Sequence, residues 1–213
     1  MSGEPKAEVM LDATLAKKRK SPKGVLRREA ILAAAMQHFA KDGYQSASFA
    51  SIAADVGLSL PGLLHYFPTK VDLLLAILEK RDLESASAVG AKYEDWRKVL
   101  LGLIDVARSN QSIPNVVQAF AVLNAESLTA DHPASTWFAS RVSHLTENLV
   151  FSLQKGIAEG EIKPDVDPLS IASELIAMMD GLQMLWLRSP GEIDMVTIFS
   201  GYISRLIETI ELR

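Results

Sequence analysis

Apolar residues recur every three to four positions along most of the chain, which is the period of amphipathic helices. The first such face lies in a helix predicted from about residue 24 to residue 41, and it consists of Ile31, Leu32, Ala35, Met36 and Phe39. No convincing strand-like alternation and no Asn-Gly hairpin turn occurs in the sequence. The pattern therefore predicts an all-α protein.

Two short helices with a tight turn between them follow the first helix. Ser48 is placed to cap the first and Ser59 the second, because a serine oxygen accepts hydrogen bonds from first-turn amides. Gly57 can adopt a positive φ and turn the chain sharply. Pro61 is tolerated in the first turn of the second helix, Leu60 to Tyr66. Two short helices braced by a longer one predict a helix-turn-helix.

Six longer helices are predicted after the helix-turn-helix, which brings the total to about nine. The first starts near Lys70, and the others span approximately residues 91–110, 114–130, 134–159, 168–188 and 193–211. We expect three parts, a basic arm (1–23), a helix-turn-helix domain (24–70) and a C-terminal helical domain (71–213). The second boundary lies inside the helix that starts near Lys70, so no flexible linker is expected.

Charge is distributed unevenly along the chain. The 213 residues carry 22 basic and 26 acidic side chains, a net charge of −4 that by itself argues against a nucleic-acid partner. Residues 1–80 nevertheless carry 11 basic and 8 acidic side chains, and seven of the basic ones fall between Lys17 and Arg28 with no acid among them. Such a run is either a nucleic-acid arm or a solvated tail.

Composition excludes several classes of protein. The chain is 48% hydrophobic and 23% charged, as expected of a globular protein, and it has no cysteine, which suits a cytoplasmic location. No signal peptide or membrane span is expected, because acidic residues interrupt the N-terminus and polar ones interrupt the segment 171–187. The four histidines form no metal-binding pair, and no phosphate-binding loop is present. We therefore expect neither an enzyme nor a metal or cofactor site.

Three runs of residues carry a family resemblance: Phe39-Ala-Lys-Asp-Gly43-Tyr, Ser48-Phe-Ala-Ser-Ile-Ala-Ala-Asp-Val-Gly57-Leu-Ser59 and Leu63-Leu-His-Tyr-Phe67-Pro-Thr-Lys70. With their surroundings, from Arg28 to Leu78, they resemble the DNA-binding domain of TetR-family transcriptional regulators. The resemblance implies a homodimer, and it implies that residues 71–213 form a ligand-binding and dimerisation domain.

The resemblance also implies that the second short helix lies in the major groove and contacts bases with its N-terminal half. By position in the family, Leu60, Pro61 and Gly62 are expected to approach base edges. Ser48 and Ser51 are expected to face the DNA backbone, and Tyr66 and Lys70 to bind phosphates.

Side chains without hydrogen-bonding groups dominate the N-terminal half of this helix. Leu64 stands where many family members carry a tyrosine that binds phosphate, so it either contacts a thymine methyl group or only packs. Recognition is therefore expected to depend on DNA shape and on hydrogen bonds from Ser59, His65 and Tyr66, or from the arm. His65 has two equally supported interpretations: it contacts DNA, or it is exposed and has no role in binding.

The basic arm directly precedes the bracing helix and is placed to follow the minor groove, as homeodomain arms do. We expect Lys18, Arg19, Lys20 and Arg28 to contact phosphates or the minor groove, with a solvated tail as the alternative.

The last two predicted helices, 168–188 and 193–211, have apolar residues on more than one side. Another protein surface must therefore cover them. Two such helices from each of two subunits form a four-helix interface, as the resemblance also implies. The residues expected there are Ile171, Leu175, Met178, Leu182, Leu185, Val196, Phe199, Ile203, Leu206 and Ile210. A two-fold dimer would hold its recognition helices about 34 Å apart, facing a palindromic site.

A small-molecule pocket between this interface and the DNA-binding part is a further implication of the resemblance. Its candidate residues are Phe120, Asn124, Trp137, Arg141, His144, Met179 and Gln183. Taken singly, a methionine or tryptophan at helical spacing belongs to a core more often than to a pocket. A buried Asp180 would suit a cationic ligand.

Together these features predict a homodimeric repressor that a small apolar or aromatic effector releases from a palindromic operator in double-stranded DNA. The alternative is a helix-turn-helix protein without a small-molecule effector, or one that a protein partner regulates.

Removal of residues 1–20 should weaken DNA binding and flatten its salt dependence. The slope of log K against log salt concentration falls in magnitude by about 0.9 for each phosphate that the truncated protein no longer neutralises. Titration of the full-length and truncated proteins with target DNA at several salt concentrations measures this slope. An unchanged slope would contradict a role of the arm at DNA.

Overall fold

The computed structural model describes residues 22–89, 95–129 and 131–212. Its helices are α1 (Pro22–Ser46), α2 (Phe49–Asp55), α3 (Leu60–Tyr66), α4 (Lys70–Val89), α5 (Trp96–Gln111), α6 (Pro114–Glu126), α7 (Ser135–Ala158), α8 (Pro168–Arg188) and α9 (Met195–Ile210). The all-α prediction is confirmed, and most predicted helix ends lie within a few residues of the observed ones. None of the described helices has the length and hydropathy to cross a membrane.

Short polar side chains fix where most of these helices begin. The hydroxyl oxygens of Ser48 and Ser59 accept hydrogen bonds from amides three residues further along, at 3.2 and 3.3 Å. Asp95, Asp167 and Asp194 cap α5, α8 and α9. Hydrogen bonds from the first turn hold the pKa of each of these three carboxyl groups below its usual value. The charged caps also suit the positive end of the helix dipole.

Gly43 interrupts α1, with a φ of 72° and a ψ of 173°. Glycine adopts this conformation readily, whereas other residues are strained in it. A Cβ atom at Gly43 would collide with the carboxylate of Glu126 on α6. The same carboxylate accepts a hydrogen bond from the backbone amide of Tyr44 at 2.9 Å. One acidic side chain therefore fixes the end of α1 against α6.

The first hydrophobic core, called the head core below, lies among α1 to α4. Its largest fully buried side chains are Phe39, Ile31, Ile52, Leu63, Leu73, Leu74, Ile77 and Leu78. These four helices do not close it alone, since Phe120 and Leu123 of α6 and Phe138 of α7 belong to the same cluster. The helix-turn-helix therefore has a complete core only when the C-terminal half is folded against it.

The second hydrophobic core, called the body core below, lies among α5, α7, α8 and α9. Its members include Trp96, Leu100, Leu153, Leu175, Trp186, Phe199 and Ile203. Helix α6 contributes to both cores, because Val117 belongs to the body core whereas Phe120 and Leu123 belong to the head core.

Helix α4 runs from the helix-turn-helix into the C-terminal part. The expected boundary at residue 70 coincides with its first residue. Further along, Arg81 donates a hydrogen bond to Asn110 Oδ1 on α5, and Arg141 Nε of α7 donates one to Asp82 Oδ1, both at 2.9 Å. The helix that starts in the head core is thus bonded to two helices of the body.

Gly43→Ala should lower the free energy of unfolding by more than Gly160→Ala does. Both glycines have a φ of 72°, but a Cβ at Gly160 meets no atom within 4 Å, whereas one at Gly43 meets Glu126. The left-handed φ costs about 1–2 kcal/mol in either variant.

Gly43→Ala displaces Glu126 and also places alanine at a ψ of 173° with positive φ, so we expect it to cost about 1–2 kcal/mol more than Gly160→Ala. Chemical denaturation of both variants beside the unsubstituted protein gives this difference. Equal losses would show that Glu126 does not fix the end of α1.

Candidate nucleic-acid interface and internal cavity

Backbone hydrogen bonds close the turn between α2 and α3. The amide of Gly57 donates to the Ala54 carbonyl at 2.9 Å, and that of Leu58 to the Ala53 carbonyl at 2.8 Å, with Gly57 at a φ of 65°. Leu58 packs against the head core. The turn therefore fixes the orientation of α3 relative to α2.

The outward side of α3 is a short apolar ridge. Leu60 and Leu64 are 41% and 38% exposed, and Pro61 and His65 are exposed beside them. The His65 ring meets the Tyr66 ring edge to face, with centroids 5.9 Å apart, at the end of the ridge. Such a surface can contact thymine methyl groups and sugars but offers few hydrogen bonds to base edges.

The other predicted positions on α2 and α3 have mixed placements. Ser48 and Ser59 cap these helices through their oxygens, so their hydroxyl hydrogens remain able to donate to a phosphate. Ser51 is exposed in the first turn of α2. A Cβ on Gly62 would point toward Ser59 and Leu58, so Gly62 faces the turn rather than the ridge.

Basic residues at the start of α1 lie beside the helix-turn-helix. Arg27 Nη1 donates to the carbonyl oxygen at the end of α2 at 2.6 Å, and the Arg28 guanidinium lies 5.0 Å from the centre of the Phe67 ring. Tyr66 shares a shallow recess with Lys23 and Arg27. The start of α1 and the end of α3 thus form one basic surface. Lys23 and Arg27 were not among the predicted contacts, although both belong to the basic run.

Lys70 is part of a polar cluster with Tyr44, Glu126 and His132. Its Nζ donates to the Gln45 carbonyl at 3.0 Å and lies 4.9 Å from the centre of the Tyr44 ring. The opposite side of this cluster is the His132 ring, 5.1 Å from that of Tyr44. Desolvation lowers the pKa of Lys70, and the charge of Glu126 partly opposes this shift. To reach a phosphate, Lys70 would have to leave these contacts.

The arm residues Lys18, Arg19 and Lys20, which were also predicted to contact DNA, lie outside the described residues.

A cavity of about 190 Å³ lies among α4, α5, α7, α8 and α9, with Phe120 of α6 in its wall. Its apolar lining consists of Leu103, Val106, Leu145, Leu149, Leu175, Ile176, Met179 and Phe199. An engineered cavity of about 150 Å³ in another protein binds benzene. The space therefore suits a molecule with one ring.

Five of the seven predicted pocket residues line this cavity, namely Phe120, Arg141, His144, Met179 and Gln183. Asn124 and Trp137 do not. The cavity meets α6 only at Phe120, one turn before Asn124. Trp137 packs edge to face on Phe120 at 6.1 Å and on Phe138 at 5.0 Å, within the aromatic packing of the head core.

Sequence reasoning missed four polar residues of the lining: Arg81, Asp82, Asn110 and Asn148. Arg81 and Asp82 follow Leu78 by three and four positions, on the continuation of the buried side of α4. A charged residue on an apolar helical stripe was the signal that could have revealed them.

Positive and negative charges in the cavity wall are equal in number. Arg81 and Arg141 lie 5.2 and 5.1 Å from the centre of the Phe120 ring, and Asp82 and Asp180 supply two carboxyl groups. Burial raises the pKa of Asp180, and the Arg141 charge partly opposes the rise. Within the described residues, no group of acids and histidines is arranged to hold a metal ion.

Gln183 is the most buried of the side-chain amides in the wall that form no hydrogen bond with a described group. The residue is 8% exposed, and its side-chain amide keeps some exposed surface toward the cavity. A molecule in the cavity can therefore donate to or accept from this amide.

Two family models together match most of the chain. "Bacterial regulatory proteins, tetR family" matches residues 31–77, and "Tetracyclin repressor-like, C-terminal domain" matches residues 79–189. The chain belongs to the TetR family. It is therefore a DNA-binding transcriptional regulator with a helical C-terminal domain, and not an enzyme.

Individual relatives agree with this assignment. The nucleoid occlusion factor SlmA of Edwardsiella ictaluri is 25% identical over 175 residues, which are 76% of this chain and 84% of that protein. A TetR transcriptional regulator from Chloroflexus aurantiacus is 26% identical with a TM-score of 0.75, over 90% of this chain and 99% of that one. A Saccharomonospora viridis protein in complex with choline has a TM-score of 0.68 at 21% identity, over 89% of this chain and 100% of that one.

Six of the ten residues that we predicted at the dimer interface of this TetR-family chain are buried inside the protomer. They are Leu175, Leu182, Phe199, Ile203, Leu206 and Ile210, all members of the body core. They have no surface left for a partner, because α8 and α9 turn these sides toward α5 and α7. Ile171, Met178 and Val196 are half-buried, and Leu185 is exposed.

Other apolar residues occupy the side of α8 and α9 that stays uncovered. Leu169, Met184 and Leu185 of α8 and Ile198 of α9 are exposed, and we call them the open face. Tyr202 is half-buried on α9 and donates to Glu174 Oε2 at 3.4 Å. Desolvation and the Glu174 charge raise the pKa of Tyr202 to about 12. The exposed apolar residues and the core residues of these helices are therefore different sets.

Proposed function

We propose that this chain is a homodimeric transcriptional repressor, and that a small molecule bound in the cavity releases it from a palindromic operator. The observation that carries the proposal is the double role of α4. Its Leu73 and Leu74 are buried in the head core, and its Arg81 and Asp82 line the cavity. The helix rises about 17 Å between Lys70 and Arg81, so it links the cavity wall rigidly to the helix-turn-helix.

The release is a shift between two arrangements of the dimer. One holds the two α3 helices about 34 Å apart, in successive major grooves, and the other does not. A ligand that contacts Arg81, Asp82 and Phe120 can favour a different position of α4, and with it a different spacing. The ligand must bind this second arrangement more tightly, and each 1.4 kcal/mol or so of preference changes the ratio of the two arrangements tenfold.

Charge supports docking of the N-terminal end on DNA. Residues 1–80 carry a net charge of +3 and residues 81–213 one of −7. Phosphates attract the surface formed by the start of α1 and α3 and repel the body. The DNA would then meet Lys23, Arg27 and the ridge of α3.

The open face of α8 and α9 is the proposed dimer interface. Its apolar residues lie near the two ends of α8, Leu169 at the start and Met184 and Leu185 at the end, and Ile198 lies on α9. Small and polar residues, among them Glu174 and Asp180, are exposed between them. A two-fold axis through this face makes it contact its own copy. The half-buried Ile171, Met178 and Val196 lie at its edges and gain further cover on association.

A helix-turn-helix protein that needs no small molecule is the second candidate. The likeness to nucleoid occlusion factors favours it, since that name describes a role other than control by a metabolite. Under this candidate, filling the cavity leaves DNA binding unchanged.

A double substitution Leu60→Glu, Leu64→Glu should abolish specific binding, with a loss of at least about 100-fold, because it places two carboxylates on the ridge that faces phosphates and bases. The measurement is fluorescence anisotropy with DNA from upstream of the chain's own gene. Leu128→Glu, in an exposed position on the α6–α7 loop, is the matched control and should bind as the unsubstituted protein does. Equal binding by all three proteins would exclude α3 as the recognition helix.

Leu185→Glu should convert the dimer to a monomer, because a dimer would bury two carboxylates without partners. Leu101→Glu is the control, since Leu101 of α5 is 51% exposed, close to the 53% of Leu185, but lies away from the open face. Sedimentation of both variants at micromolar concentration gives the oligomeric state. A dimeric Leu185→Glu variant would place the interface elsewhere.

A further inference from the structure

We infer that the cavity selects a small uncharged molecule with one ring and a hydrogen-bonding group that binds the Gln183 amide. The inference rests on the proposed function only for the identity of the cavity as the effector site. It adds the chemical class of the ligand, which follows from the size of the cavity, the charge balance of its wall and the side-chain amide of Gln183.

The size of the cavity limits the part of a ligand that the protein can enclose. About 190 Å³ is only modestly larger than the engineered cavity of about 150 Å³ that holds benzene. It lies below the range of about 300–1,000 Å³ that is usual for sites of drug-sized molecules. One ring with a short substituent fills it.

The charges of the wall argue against an ionic ligand. Arg141 is paired with Asp82 through a 2.9 Å hydrogen bond, and Asp180 lies within reach of the Arg141 charge. Arg81 is hydrogen-bonded to Asn110. A cation or an anion would add an uncompensated charge to a wall whose own charges cancel, at partly buried positions.

Gln183 supplies the polar contact. Its amide is buried in the wall, it can donate and accept, and no described group bonds to it. Met179 lies one turn before it on α8 and offers an adaptable apolar contact. A carbonyl, amide or hydroxyl group on the ring would pair with the Gln183 amide while the ring packs on Met179 and Phe120.

A series of one-ring probes tests the inference on the full chain. The probes are benzamide (neutral and polar), benzoate (an anion of the same shape), benzylammonium (a cation) and toluene (apolar), each titrated by calorimetry. We expect benzamide to bind about tenfold or more tightly than each of the others. Tightest binding by benzoate, by benzylammonium or by toluene, or no binding by any probe at about 10 mM, would overturn the inference.

Gln183→Met removes the amide and keeps the length of the side chain. We expect it to weaken benzamide binding about tenfold, to leave toluene binding unchanged or tighter, and to leave the melting temperature of the free protein unchanged or higher, because the amide forms no hydrogen bond with a described group. Gln154→Met, at an exposed position of α7, is the control and should change none of these quantities. An unchanged preference for benzamide, or a lower melting temperature with intact DNA binding, would overturn the role of Gln183.

The DNA assay separates this inference from the proposed function. If benzamide binds through Gln183 but saturating benzamide leaves operator binding intact, the ligand class stands and release by cavity ligands fails. If another molecule releases the DNA while the Gln183→Met variant responds to it as the unsubstituted protein does, the proposed function stands and the ligand class fails.

Discussion

The helix-turn-helix depends on side chains that the C-terminal half supplies. Helices α1, α2 and α3 bury Phe39, Ile52 and Leu63, but the cluster is complete only with Phe120 and Leu123 of α6 and Phe138 of α7. A small three-helix unit exposes much of its apolar surface when it stands alone. Packing against α6 and α7 removes that surface from water. The position of α3 is thus set by the same contacts that hold the two halves together.

A group of polar contacts around Tyr44, called the polar junction here, fixes the relative orientation of the helices in this apolar contact. Glu126 occupies the space beside Gly43 and accepts the amide of Tyr44, while Lys70 and His132 lie against the Tyr44 ring. Apolar surfaces can slide by small amounts, whereas a hydrogen bond of 2.9 Å to one carboxylate permits few positions. The junction therefore fixes how α1 and α4 lie on α6. A shift of α6 or α4 therefore also shifts α1 to α3, because the helices contact one another directly.

The sequence predicted the architecture well where one signal was sufficient. Serine caps, the turn at Gly57 and the period of the apolar residues located α2 and α3, and the same rules located the longer helices. Site residues that depend on how helices pack were harder to predict. Helix α8 is apolar on all sides, so its sequence does not show which side meets the body core, and the residues chosen for the interface include Leu175 and Leu182 of that core.

The residues that line the cavity were also only partly predictable from the sequence. Five candidates were found because aromatic, sulfur-containing and polar residues recur on α6, α7 and α8. Arg81 and Asp82 of α4 were overlooked, because the candidates were taken only from α6, α7 and α8. The distance between neighbouring helices decides whether a polar residue on an apolar stripe bonds to another helix or lines a cavity. That distance is a property of the packed structure and not of any single segment.

Phe120 is shared between the cavity wall and the head core. This sharing limits how the protein can diversify. Under the proposed function, a substitution at Phe120 that suits a new effector would also alter the support of α3, so selection would act on both properties at once. Asn148, Met179 and Gln183 line the cavity but do not belong to the head core. Descendants of this chain would then acquire new chemical specificities at these three positions while they continue to control the same genes.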